Sequence, residues 1–99
     1  MAQHDLEPIA PGEILRHEFM EPLGLSDSQL ARELDLPAGR VSEILDGRGG
    51  VTAEVALRLE KYFGVSAQFW LNLQSRYDLK IARRDVGPDI DARVSRRSA

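Results

Sequence analysis

His17-Glu18, with Glu21 one turn further on, is the nearest this sequence comes to a metal-binding helix. A zinc-protease helix needs a second histidine four residues after the first, and position 21 holds glutamate instead. Gly47-Arg48-Gly49-Gly50 has the glycine content of a phosphate loop. It lacks the Gly-Lys-Ser/Thr that holds nucleotide and magnesium, so it reads as a turn. No nucleophile is paired with a base, and the chain has no cysteine for a thiolate site or a disulfide. These observations point to no catalytic residue, no metal and no cofactor. What remains is hydrogen-bonding chemistry, concentrated at Pro37, Ala38, Gly39, Arg40, Ser42 and Glu43. Arginine donates bidentately to a guanine edge or to a phosphate, serine pairs with several bases, and glutamate accepts from a cytosine amine. Glu43 has a second reading, as an i, i+3 partner that orients Arg40. Small residues at 38 and 39 permit close approach to a base edge.

The elements that must position these residues are short helices. Pro11-Gly12 precedes a first helix from Glu13 to Glu21, with Leu15 and Phe19 at i, i+4. Ser26 and Gln29 have capping-box spacing ahead of Leu30, Ala31 and Leu34. Asp35-Leu36 is a tight turn, and Pro37 suits the first position of a third helix. Val41, Ile44 and Leu45 form that helix's apolar stripe, which leaves 38, 39, 40, 42 and 43 outward. Gly47 suits a left-handed cap. Thr52 caps a fourth helix with Ala56, Leu59 and Phe63 inward, stopped by Gly64. Ser66 caps a fifth with Phe69, Trp70, Leu73 and Tyr77, running on through Ile81-Ala82. The aromatic stripe reads as core or as a dimer surface. Asn72 and Gln74 serve either an interface or a structural hydrogen bond. Gly87-Pro88 is expected to break the helix. The expected organisation is a flexible segment 1–10, an all-α domain 11–86, and a flexible basic tail 87–99.

Two short helices meeting at a tight turn let the second project from the surface. A major groove about 12 Å wide accepts one such helix, and the helix before it sits on the backbone. Ser28 and Gln29, at the start of the second helix, and Arg48, in the loop after the third, are the expected phosphate contacts. Charge is unevenly spread over the 99 residues, whose net charge is −3: residues 1–36 carry −6, residues 37–79 are neutral, and residues 80–99 carry +3. Arg83, Arg84, Arg93, Arg96 and Arg97 either solubilise the tail or add phosphate contacts. Residues 1–10 lack the pattern of a secretory signal, and no apolar run approaches the ~20 residues that span a bilayer. With the lack of cysteine, this points to the cytoplasm and away from membranes.

Residues 25–47, LSDSQLARELDLPAGRVSEILDG, resemble the Cro/cI-like (Xre) helix-turn-helix family. More narrowly, residues 8–84 resemble the HigA antitoxin family. The carrying residues are Pro11 to Leu15, Glu21 to Leu25, Thr52-Ala53, Ala56 to Leu59, Tyr62 to Gly64, and above all Phe69-Trp70-Leu71-Asn72-Leu73-Gln74. The resemblance implies a five-helix, all-α, lambda repressor-like domain that is not an enzyme. It implies a dimer on double-stranded operator DNA that represses its own operon and neutralises an mRNA-cleaving, HigB-like toxin. Two half-sites would then lie about 34–36 Å apart. The sequence departs from the family at Asp35, where glycine is usual, and at Asp46-Gly47, where Asn-Gly is usual. Gly39 inside the recognition helix costs about 0.5–1 kcal/mol against alanine.

An RNA-cleaving toxin needs positive charge to hold RNA, so the acidic first third, with Glu7, Glu13 and Glu18, is the expected docking surface. Two other functions are compatible with the residues. One is a stand-alone Xre-type regulator without a toxin. The other is a helical interaction module without DNA binding, which the net negative charge and Gly39 motivate.

Overall fold

Proline at position 22 decides the shape of the first helix. It has no N–H to give and its ring crowds the carbonyl four residues back, so the preceding turn widens. In the computed structural model, which describes residues 8–97, helix α1 therefore has three parts: Pro11–Ile14, a π stretch at Leu15–Met20, and a last turn at Glu21–Leu23. The Glu21 N–H reaches back five residues to the Arg16 carbonyl. That widening keeps Leu15 and Phe19 on the core side and adds Met20 to them. Leu15 and Met20, five apart, are the fully buried residues of the π stretch, and Phe19 is only half-buried. The helix also starts at Pro11, two residues earlier than expected.

Four further helices follow: α2 (Asp27–Leu34), α3 (Ala38–Leu45), α4 (Ala53–Phe63) and α5 (Ala67–Arg93). The described residues form five helices and no strand. Each expected cap is made. Ser26, Thr52 and Ser66 accept the N–H of Gln29, Val55 and Phe69 respectively. Pro37 stands one place earlier than expected, at the N-cap of α3, where its carbonyl accepts from Arg40 and Val41 at 3.0 and 3.2 Å.

The expected break at Gly87-Pro88 is not there. Helix α5 runs through both residues to Arg93. Pro88 is exposed, so water can satisfy the carbonyl that loses its partner. An i, i+4 pair from Arg93 to Asp89 (2.8 Å) braces the turn beyond it. Of the expected flexible N-terminal segment, residues 1–7 lie outside the described residues, and Ala10 is buried.

All five helices contribute to one core. At its centre Trp70 is 0% exposed and is the only buried residue of α5. Phe19 packs on it with ring centroids 4.8 Å apart, and on Phe63 at 5.2 Å. The first turn of α1 crosses the last turn of α3 with no room for a side chain. A Cβ on Gly12 would strike the Ile44 carbonyl oxygen and come within 2.8 Å of the Leu45 Cα. Both obstacles are backbone, which cannot swing away. Gly12→Ala is expected to destabilise the fold by about 1–3 kcal/mol, read as a lowered midpoint in urea denaturation with an unchanged m-value.

Candidate nucleic-acid interface

The recognition face depends on how α2 begins, how the turn closes and how α3 ends. At the start of α2 the capping box is complete: Gln29 N–H donates to Ser26 Oγ (3.1 Å) and Ser26 N–H to Gln29 Oε1 (2.8 Å). This alters the expected phosphate site. The Gln29 backbone N–H is already taken, which leaves the side-chain Nε2 as that residue's donor. Ser28 is exposed beside it. Arg16 on α1 pairs with Asp27 at 3.2 Å and ties this end of α2 to the first helix.

Asp35 closes the turn in the left-handed region, at φ 55°, where aspartate is tolerated better than most residues. The conformation lets Asp35 N–H donate to the Arg32 carbonyl and Leu36 N–H to the Ala31 carbonyl. Arg58 of α4 takes two further carbonyls at the end of α2. Its Nη1 donates to Leu34 O at 2.8 Å and to Asp35 O at 3.1 Å. Its Nε and Nη2 donate to Glu54 Oε2 at 3.2 and 2.8 Å. One side chain thus fixes the angle at which α3 leaves α2.

On α3 the expected division holds. Val41, Ile44 and Leu45 are buried; Ala38, Gly39 and Glu43 are exposed; Arg40 and Ser42 are half-buried. Arg40 makes no ion pair with Glu43 among the described residues, so its guanidinium is not oriented by it. A Cβ on Gly39 would meet nothing within 4 Å, so this face stands open. Beyond α3 the Glu43 carbonyl accepts from Arg48 N–H and Gly49 N–H, both at 2.9 Å, and Gly47 adopts φ 80°. Val51 N–H donates to Gln74 Oε1 at 2.7 Å, which pins the loop to α5. Gln74 therefore takes the structural role. Arg48 pairs with Asp46 at 2.9 Å, and both are exposed. Such a pair contributes about 0–1 kcal/mol, so a phosphate competes for Arg48 easily.

The expected contact residues thus lie on one helix-turn-helix unit: Ser28 and Gln29 at its entry, residues 37–43 across its second helix, Arg48 at its exit. Of the residues that hold them, the sequence offers Gln74 as an interface or structural hydrogen bond with no partner named, and singles out neither Arg58 nor Gly12. Arg58, Gly12 and Gln74 each act on backbone more than twenty residues away, and no periodicity signals that. Among the described residues no group of His, Asp and Glu side chains converges to hold a metal, and no helix is long and apolar enough to cross a membrane.

This architecture defines a helix-turn-helix DNA-binding domain. A family model described as Helix-turn-helix matches residues 17–70. Virulence-associated protein I of Dichelobacter nodosus is 48% identical over 84% of this chain and 77% of that protein. Antitoxin HigA-1 of Vibrio cholerae is 39% identical over 73% of this chain and 68% of that protein. The structure of the Pseudomonas aeruginosa antitoxin HigA with the higBA promoter superposes with a TM-score of 0.87 at 44% identity, covering 90% of this chain and 97% of that one. The chain belongs to the HigA antitoxin family of Cro/cI-type helix-turn-helix proteins. It is a DNA-binding regulator by family, not an enzyme.

Arg58 gives this geometry a direct test. Arg58→Met keeps the aliphatic stem and removes all four hydrogen bonds. It is expected to cost about 1–3 kcal/mol of stability, because two helix-end carbonyls lose a charged donor. It should also weaken specific duplex binding at temperatures where the variant is still folded by circular dichroism.

Proposed function

We propose that this chain is an antitoxin that works in the cytoplasm, represses its own operon as a dimer, and neutralises a HigB-like toxin that cleaves mRNA. The observation that carries the DNA half of this reading is the outward face of α3. Ala38, Gly39, Arg40, Ser42 and Glu43 project from a helix whose other side is buried. The relative solved with the higBA promoter supports the same reading. Arg40, Ser42 and Glu43 read base edges, with Ala38 and Gly39 allowing close approach. Pro37 sets the entry of the helix, and Ser28, Gln29 and Arg48 hold phosphates. Two such units on a two-fold axis read a palindrome.

Binding to the DNA upstream of this chain's own gene, compared with a scrambled duplex across a salt series, tests the repressor. Specific binding is expected. Arg40→Ala should lose about 1–3 kcal/mol of discrimination between the two duplexes. Arg48→Ala should weaken binding to both alike and flatten the salt slope. Equal, weak binding of the unaltered protein to both duplexes would overturn the repressor reading.

The toxin half rests on family and on charge. Glu13 and Glu18 are exposed on α1, in the strongly acidic first third of the chain, while Glu7 lies outside the described residues. A basic RNA-binding toxin is complementary to that surface. Glu13→Lys with Glu18→Lys is expected to slow association with the toxin by roughly tenfold at low salt, measured by surface plasmon resonance. Unchanged association would move the docking surface elsewhere. A chromosomal neighbourhood without a gene for a small basic protein would favour the stand-alone regulator.

A further inference from the structure

A groove of about 410 Å³ opens where α1, the residues just before it and α5 meet. Its floor is apolar, made by Ile9, Ile14, Leu73 and Leu79. Ile14 and Leu73 are half-buried, while Ile9 and Leu79 are 59% and 52% exposed. Its wall is basic, made by Arg76, Lys80 and Arg83 of α5. At about 100° and 1.5 Å per residue these three fall within roughly 60° of one another and span about 10 Å of the helix. Among the described residues no aspartate or glutamate lines the groove. Arg76 and Arg83 have no ion-pair partner among the described residues. Like charges three and four residues apart on a helix repel one another. An anion held between them removes that cost.

We propose that this groove binds a single-chain organic anion, a medium-chain carboxylate, with its headgroup on Arg76, Lys80 and Arg83 and its tail along the apolar floor. The wall selects the charge of the ligand. A guanidinium meets a carboxylate bidentately, and such charge-assisted bonds are about twice as strong as neutral ones. The floor selects the other end. Among the described residues Tyr77 is the one neutral polar side chain that lines the groove. A peptide laid there would leave most of its backbone N–H and C=O groups without partners. A nucleic-acid strand would pair with the cations and gain nothing from the floor. An alkyl chain strands no polar group and takes the floor out of water. The volume suits one such chain, since pockets for small organic ligands start at about 300 Å³. The ligand would also brace the frame of the recognition unit. Ile14 lies on the helix whose Gly12 abuts α3, and Leu73 is next to Gln74, which pins the loop after it. The site rests neither on the dimer nor on the repressor reading, and it is tested without DNA.

Isothermal titration of decanoate into the full chain is the test. Saturable binding of one decanoate per chain is expected, with a Kd on the order of 100 µM. Octanoate, shorter by two methylenes, should bind about tenfold more weakly. Decanol and decylamine keep the chain and change the head, to neutral and to cationic. Each should bind about tenfold more weakly than decanoate, or worse. Arg76→Gln with Arg83→Gln should weaken decanoate about tenfold and leave decanol unchanged. Both side chains are exposed, so circular dichroism should show the helices of this variant intact. Absence of saturable binding overturns the site. Equal affinity for decanoate and decanol, or an unaltered decanoate affinity in the double variant, overturns the role of the basic wall and the proposal with it. Decanoate affinity that falls as the protein concentration is raised means that a second copy closes the groove, and this also overturns the proposal.

Discussion

The approach of Gly12 to the last turn of α3 is the contact on which the recognition face depends. An eight-residue helix is far below the length that is stable alone in water, so α3 exists only because other elements define it. Val41, Ile44 and Leu45 anchor it inward. The backbone of α1 lies directly on the backbone of Ile44 and Leu45 because position 12 carries no side chain. Helix α1 is itself referred to the core through Leu15, Met20 and the stacking of Phe19 on Trp70. The chain of contacts runs from the buried tryptophan to the outward residues of α3 without passing through a flexible loop. Stability on the inside frees the outside for residues chosen by a ligand. Gly39 and Ser42 are both mediocre helix formers, and both sit on the recognition face.

The turn before α3 solves a different problem. The end of α2 presents unpaired carbonyls and the negative pole of the helix. A cation is the natural partner, and Arg58 supplies one from α4. Its charge is balanced by Glu54, one turn earlier on the same helix. The pair therefore adds directional hydrogen bonds without adding net charge near the turn. Asp35 can then occupy a position where the family usually has glycine, because the left-handed backbone is held by Arg32, Ala31 and Arg58 contacts on both sides.

What the sequence made legible, and what it hid, divides by distance along the chain. Caps at Ser26, Thr52 and Ser66 are three-residue affairs, and each is made as its spacing implies. The buried stripe of α3 and the outward set between 38 and 43 follow from periodicity within one helix. Arg58, Gly12 and the partner of Gln74 were hidden, because each of these contacts joins backbone 23 or more residues away. Two local rules also failed. Pro22 acted backwards, widening the turn before it, so Met20 joins Leu15 and Phe19 on the inward face, which α-helical spacing alone does not indicate. Gly87-Pro88 did not end α5, because a single lost hydrogen bond on an exposed face is cheaply replaced by water.

The charge balance bears on how such a protein discriminates. A net charge of −3 gives little of the diffuse attraction that supplies non-specific affinity. Arg58 is internally balanced by Glu54. With little diffuse attraction, the proposed α3 contacts would carry more of the discrimination, which raises the ratio of specific to non-specific affinity. An eight-residue helix is only about 12 Å long and touches a few base pairs, too little by itself to define a site. In the dimer proposed above, the remaining specificity comes from a second copy at a fixed spacing. The less one recognition helix can read, the more accurately its twin in the proposed dimer must be placed.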